Sequence, residues 1–265
     1  MGSSSGGDGG RDDLSGEELA MINIAVWFSC GAASAVAAKK TIEMYPDANV
    51  RVVNNPIAEE DGDNRRFLRD VATWLGVDVE IAINKNWLKS SADEVWVKRR
   101  YMAGIAGAPC TLELKKRARQ QWENQNPCDA LVLGFTVEEE DRADRFRRNE
   151  RSSLLTPLID LRLTKKDCFR IVSAAGIELP NVYKRGYPNA NCIGCVKATS
   201  ATYWNHVRQD SPEVFARRAE LSRELGARLV RYKGERIFLD ELPLDAKGAA
   251  MNVGSFECGL FCETD

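Results

Sequence analysis

The chain has 265 residues, 44% hydrophobic and 29% charged, with 37 basic against 39 acidic residues and a net charge of −2. That apolar content excludes a wholly disordered chain, and no apolar run approaches the ~18 residues that span a bilayer. The single histidine argues against a His-based metal centre or a Ser-His-Asp triad.

Residues 1–20 are rich in Gly, Ser and Asp without apolar periodicity. They read as a disordered leader, with Met21 as the natural start. Setting aside its five acids and one arginine leaves 36 basic and 34 acidic residues, a slightly basic body compatible with nucleic acid. Residues 22–28 (INIAVWF) suit a buried parallel strand. The run ends in the small residues Ser29-Cys30-Gly31-Ala32-Ala33-Ser34, and a helix is expected over 35–45. Residues 49–54 (NVRVVN) predict a second strand. Phe67, Leu68, Val71, Ala72 and Leu75 then recur at helical spacing. Further strands are expected at 77–83, 130–135 and 154–157. Such alternation predicts an α/β, Rossmann-like open parallel sheet covered on both faces. From Thr164 the pattern changes. Thr164 opens a helix by hydroxyl capping, and Gly176 stops it. A turn-rich loop over 180–195, a helix over 212–225 and an irregular last forty residues follow. The expected division is a leader over 1–20, a nucleotide-binding α/β domain over 21–163 and a C-terminal helical and irregular region over 164–265.

A strand, a tight loop of small residues and a helix together make an anion site. Backbone N–H groups and the helix N-terminus face the ligand, and small side chains let phosphate approach. Ser29 and Ser34 add hydroxyl donors. The alternative is a plain strand–helix turn. The loop is neither a Walker A loop, which needs Lys, nor G-x-G-x-x-G.

The eight cysteines, Cys30, Cys110, Cys128, Cys168, Cys192, Cys195, Cys258 and Cys262, are too sparse for a disulfide scaffold. Cys192 and Cys195 form C-x2-C, which lets two thiolates face one metal or cluster, and Cys258 and Cys262 form C-x3-C. In a chain without a secretory signal, and so read as cytoplasmic, such pairs suggest metal, iron–sulfur or thiol chemistry. Cys128 and Cys168 read as structural thiols, and His206 as a structural imidazole. Glu138, Glu139, Glu140 and Asp141 precede Arg142, Arg145, Arg147, Arg148 and Arg151. The acids suit Mg²⁺ and the arginines suit phosphate. The alternative is an exposed helix laced by pairs such as Glu138–Arg142 and Asp141–Arg145.

The loop over 29–34 resembles the PP-loop, S-G-G-x-D-S, of the adenine nucleotide α-hydrolase superfamily, departing from it at Cys30 and Ala33. That superfamily includes ATP pyrophosphatases and the phosphoadenosine phosphosulfate (PAPS) reductase family. Further segments carry the likeness. Pro109-Cys110-Thr111-Leu112-Glu113-Leu114-Lys115 is similar to that family's Cys-Thr-x-x-Leu-Lys segment. Gly134-Phe135-Thr136 with Glu138, Asp141, Arg142 and Arg145 is similar to its fourth-strand motif. Gly186-Tyr187 before Asn191-Cys192-Ile193-Gly194-Cys195 resembles its later C-x2-C, and Glu257-Cys258-Gly259-Leu260 its E-C-G-L-H tail, with Phe261 at the His. The likeness spans roughly residues 22–262.

The resemblance implies a five-stranded sheet of order 3-2-1-4-5. It implies ATP, with Mg²⁺, on Ser29, Cys30, Gly31, Ala32, Ala33 and Ser34. Asn54 and Asn55 would face ribose or adenine, and Gly134 and Phe135 would let adenine lie against backbone. Glu138, Asp141 and Arg145 would complete that site. Cys110 would join Cys192 and Cys195 around a [4Fe–4S] cluster, with Cys258 or Cys262 as fourth ligand and zinc as the competing metal. Cys110, Arg142 and Cys258 would be catalytic. The implied activity is that of an ATP pyrophosphatase-type sulfurtransferase. It would act on nucleic acid as in DNA phosphorothioation, DNA ahead of tRNA, and a cysteine desulfurase would donate the sulfur. A PAPS or adenylylsulfate reductase using Cys258 is the alternative, and a nucleotide- or DNA-binding module without turnover is the third. That module would use the basic stretches Lys98-Arg99-Arg100 and 115–119. A homodimer is compatible with each; a membrane partner is not expected.

Overall fold

The computed structural model describes residues 21–104, 107–151 and 153–251. The expectations for the leader and for Cys258 and Cys262 lie outside them. Five strands, β1 (Asn23–Trp27), β2 (Asn49–Asn54), β3 (Val79–Ile81), β4 (Ala130–Val132) and β5 (Leu154–Leu155), form one sheet of order β3-β2-β1-β4-β5. Every pairing is parallel, from Asn23↔Asn49 to Trp27↔Val53 between β1 and β2, and from Ile24↔Ala130 to Val26↔Val132 between β1 and β4. This is the Rossmann-like class expected from the sequence. Strand order reverses between β1 and β4, so the carboxyl edge opens there, where α/β sheets place their ligands.

Alternation along β1 explains the two layers. Ile24 and Val26 face one side, where α1 (Ala32–Met44), α2 (Asn64–Leu75), α6 (Pro157–Asp160) and α7 (Lys165–Ala174) supply Ala35, Ala38, Phe67, Val71, Leu158, Cys168 and Val172. Ala25 and Trp27 face the other side, against Trp122 of α4 (Arg117–Gln125) and Phe146 of α5 (Glu140–Asn149). Trp27 and Trp122 meet edge to face at 5.6 Å. Because α7 packs on α1, the sheet's helical layer continues past residue 163.

A third cluster gathers α3 (Ala92–Arg99), α8 (Asn181–Lys184), α9 (Ala201–Asp210) and α10 (Pro212–Glu224) around Trp96, Leu114, Val182, Trp204 and Phe215. It also takes in Val230 of β6 (Val230–Tyr232), which pairs antiparallel with β7 (Glu235–Ile237). This hairpin corrects the reading of the last forty residues as irregular. Its turn residues, Lys233 and Gly234, both have positive φ, as tight hairpins require. Among the described residues no helix is long and apolar enough to cross a membrane.

Candidate functional site

The loop after β1 is built as an anion cradle. Gly31 is the extended N-cap of α1 and offers no capping side chain of its own, and the first turn carries no acid. Ser34 Oγ donates to the Gly31 carbonyl at 2.9 Å and accepts from Ser29 N at 3.1 Å, and the two serine hydroxyls lie 3.2 Å apart. Asn54 Nδ2, ending β2, donates to the Phe28 carbonyl at 2.7 Å and to Cys30 Sγ at 3.4 Å. Cys30 takes φ +57°, a left-handed conformation uncommon outside glycine. Its thiol is pushed well up by burial and by Glu60, against the smaller opposing effects of Asn54 and Lys115. Gly134, just beyond β4, touches the cradle from behind, since a Cβ there would stand 2.7 Å from Ser34 N. Tyr183 of α8 brings its hydroxyl over the helix start, accepting from Ala32 N at 3.4 Å.

Beside the cradle an open cleft of about 560 Å³ runs along the carboxyl ends of β2 and β3, within the roughly 300–1,000 Å³ range of small-molecule sites. Cys30, Asn54 and Ile57 border it toward the loop. Asn64 and Leu68 of α2 line it, as do Ile81, Ile83 and Leu88. Exposed Arg65, Arg69 and Lys89 add positive charge.

Cys110, Cys192 and Cys195 line a second, smaller cavity together with Thr111, Lys115 and Lys197. None of the three thiols is in a disulfide. Thus the structure brings together three cysteines from two distant segments. The segment from Thr111 to Lys116 is a π-helical turn that runs into α4, a device frequent at functional sites. The C-x2-C loop is tied down on several sides. Cys195 N donates to Tyr203 Oη at 2.9 Å, Ile193 N donates to the Glu59 carbonyl at 3.2 Å, and buried Arg218 donates from Nε to the Gly194 carbonyl at 3.2 Å while pairing with buried Asp93. Burial holds the Tyr203 phenol protonated, its pKa raised well above the usual value. The two cavities share Ile57. Lys115 of the thiol cavity also reaches Glu60 of the cleft at 3.7 Å, with both side chains buried.

Three thiolates are a donor set suited to a soft metal or an iron–sulfur cluster. The cavity itself offers about 20 Å³, room for roughly one water-sized group. As the side chains stand, no group of three His, Cys, Asp or Glu among the described residues could hold a metal ion. The donor set therefore fits such a group in kind, and the cavity must widen to take a cluster.

Several of the other expected residues have protein partners. Asn55 Nδ2 donates to the carbonyls of Ala82 and Leu114, both at 2.8 Å, and so pins β3 to the π turn. Phe135 is buried against Phe146 at 6.3 Å. Glu139 accepts from Thr136 N at 3.3 Å in a capping box and pairs with Arg142 at 2.6 Å. Arg142 also lies over the Phe135 ring. Glu138 accepts from Lys165 N at 3.3 Å, while Asp141 and Arg145 are exposed on α5. Cys168 is buried, its thiol pushed up to about 12 chiefly by burial, and the Cys128 thiol is raised for the same first reason. His206 packs edge-on against Tyr187 at 4.7 Å. In the basic stretches, Lys98 pairs with Glu94, Arg99 and Arg117 with buried Glu113, Arg100 with Glu224, and Lys116 and Arg119 with Glu150. Glu60, Asn64 and Tyr183 were not foreseen from the sequence. Only Asn64, one turn before Leu68 on an amphipathic helix, left a periodic hint.

No protein-family profile and no curated protein matches the chain. Among solved structures it is similar to phosphoadenylyl-sulfate (PAPS) reductase from Candida auris, in a phosphate complex. Identity is 12% and the TM-score 0.46, over 64% of this chain and 80% of that one. It is also similar to the U34-tRNA thiolase NcsA from Methanococcus maripaludis with its [4Fe-4S] cluster. There identity is 12% and the TM-score 0.43, over 82% of this chain and 73% of that one. The fold class rests on the strand order itself.

Proposed function

We propose that the protein is an adenine-nucleotide-using, sulfur-handling enzyme of the PP-loop superfamily, working as an ATP pyrophosphatase-type sulfurtransferase. The observation that carries this reading is the adjacency of cradle and thiols. Cys30 of the small-residue loop borders one cleft, three cysteines border the next cavity, and Ile57 and the Lys115–Glu60 pair stand between.

In this reading ATP enters as its Mg²⁺ complex. The N–H groups of Ala33 and Ser34 hold the pyrophosphate as charge develops on it. An acceptor oxygen attacks the α-phosphorus, the bond from that phosphorus to the β-bridging oxygen breaks, and pyrophosphate leaves. Hydrosulfide then attacks the activated centre. AMP departs with the former acceptor oxygen, and the proton of hydrosulfide passes to solvent. Cys110, Cys192 and Cys195 would hold the metal or cluster, and such a group supplies a site where sulfur is bound and kept reactive. Ala33 in place of the motif's Asp leaves the anion side of the cradle without a carboxylate, which favours phosphate entry.

The acceptor in this proposal is nucleic acid, DNA ahead of tRNA, and a cysteine desulfurase supplies the sulfur. The exposed Arg65, Arg69 and Lys89 beside the cleft support a polyanionic acceptor.

The test incubates the protein with ATP, a sulfide source and DNA or tRNA, and separately with PAPS and a thiol reductant. Pyrophosphate release with sulfur-labelled nucleic acid is expected. Sulfite release from PAPS, lost in Cys258→Ser, would mark sulfonucleotide reduction instead. Anaerobic preparation with iron and sulfide counted per protein is expected to show bound iron that Cys110→Ala and Cys192→Ala each reduce severalfold. Equal iron in all three proteins would remove the thiol cavity from the proposal.

A further inference from the structure

We propose that Asn64 reads the base of the bound nucleotide. Its amide oxygen would accept a hydrogen bond from an exocyclic amino group, so that the cleft takes adenine in preference to guanine. This inference rests on the reading of the cleft as the nucleotide site.

Asn64 opens α2, lines the cleft and is only 6% exposed. Its Nδ2 donates to Glu60 Oε2 at 3.4 Å. A carboxylate can only accept. Turning the amide over would therefore set two acceptors face to face, and the orientation is fixed by chemistry. That leaves Asn64 Oδ1 as the other end of the amide, and it is buried without any hydrogen-bond partner. A buried acceptor left unsatisfied in a native structure points to a partner that arrives from outside.

The surroundings suit a flat base. Leu68, one turn along the same face of α2, lines the cleft, and Ile81 and Leu88 present apolar surface there at 50% and 79% exposure. Adenine carries an amino donor at the position where guanine carries a carbonyl acceptor. Opposite Asn64 Oδ1, adenine satisfies the orphaned oxygen and guanine repels it. Glu60 couples this amide to the rest of the site. One of its oxygens holds Asn64 and the other faces Lys115 of the thiol cavity.

The test is calorimetric binding of ATP, GTP and purine riboside triphosphate, which is ATP without the amino group, to the full chain. The wild type is expected to bind ATP about tenfold or more tightly than either, the scale of one hydrogen bond to a neutral partner. This comparison needs no variant. In Asn64→Ala the advantage of ATP over purine riboside triphosphate is expected to shrink to within about twofold. Equal binding of ATP and purine riboside triphosphate by the wild type would overturn the role of Asn64 and leave the cleft as the nucleotide site. So would an undiminished ATP preference in Asn64→Ala. Absence of binding by every triphosphate would overturn the cleft reading and this inference together.

Discussion

Gly134 has no Cβ because the backbone of Ser34 stands where one would go, 2.7 Å and 2.8 Å away at its N and Cα. Those atoms belong to the first turn of α1 and cannot yield as a flexible side chain would. Gly134→Ala is therefore expected to destabilise by roughly 1–3 kcal/mol, a fall of about 2–10 °C in melting temperature by calorimetry. It should also weaken triphosphate binding, because the displaced turn carries the cradle. Cysteine reactivity offers a second check. Burial raises the Cys30 thiol strongly and the Cys168 thiol to about 12. At pH 8 the thiolate fraction of Cys168 is then on the order of one in ten thousand, and thiolate is the reactive form. Alkylation at pH 8, read by peptide mass spectrometry, should spare Cys30 and Cys168 in the native protein and label both once it is unfolded in denaturant. At this scale the sequence showed which residue types were present but not their neighbours. Asn54, expected to face ribose or adenine, borders the cleft, and its Nδ2 also braces the loop through Phe28 and Cys30.

Elements with strong local chemistry were the legible ones. The expected Thr164 cap and Gly176 stop both hold. Thr164 and Asp167 form a reciprocal capping box, and Gly176 sits at φ +75°. The strand over 49–54 has the bounds read from the sequence, one residue beyond Val50 and Val53 at either end. The β6–β7 hairpin escaped because its strands are three residues long, too short for alternation to register. Between elements, Asp63 joins α2 to α8. It pairs with Arg66 at 2.7 Å and accepts from Asn181 N at 2.8 Å. Those bonds, first that from Arg66, hold its carboxyl below the ordinary 3.8. A carboxyl depressed in the folded state stabilises above its unfolded pKa and loses that contribution as pH falls through the lower folded value. Urea midpoints should thus decline below about pH 4 as Asp63 protonates, and Asp63→Asn should flatten part of that decline. An identical acid limb in both proteins would show that Asp63 contributes nothing to it.

At the scale of the whole molecule, the sheet topology was readable because strand–helix alternation and right-handed crossovers leave few alternatives. The convergence of the thiols was not readable from spacing, since Cys110 and Cys192 are brought together by packing of α3, α9 and α10 in a core separate from the sheet. Arg218 holds that core to the cysteine loop through Asp93, Gly194 and the face of Trp96 at 4.6 Å. Arg218→Ala removes the buried partner of Asp93 but leaves its pairing with exposed Arg217, so the expected cost in denaturant unfolding is about 1.5–3 kcal/mol, the scale of hydrogen bonds to a charged group. Arg218→Lys should recover little, because an ammonium lacks the fork that engages Asp93 and Gly194 at once. The π turn from Thr111 to Lys116 bears on the same convergence in another way. It winds one surplus residue into the helix while Trp122 stays wedged under the sheet. Should that stretch tighten to ordinary pitch with α4 held fast, Cys110 would swivel through about 100° and slip about 1.5 Å along the axis. The wider winding of this one turn thus sets the azimuth at which the Cys110 sulfur meets the other two.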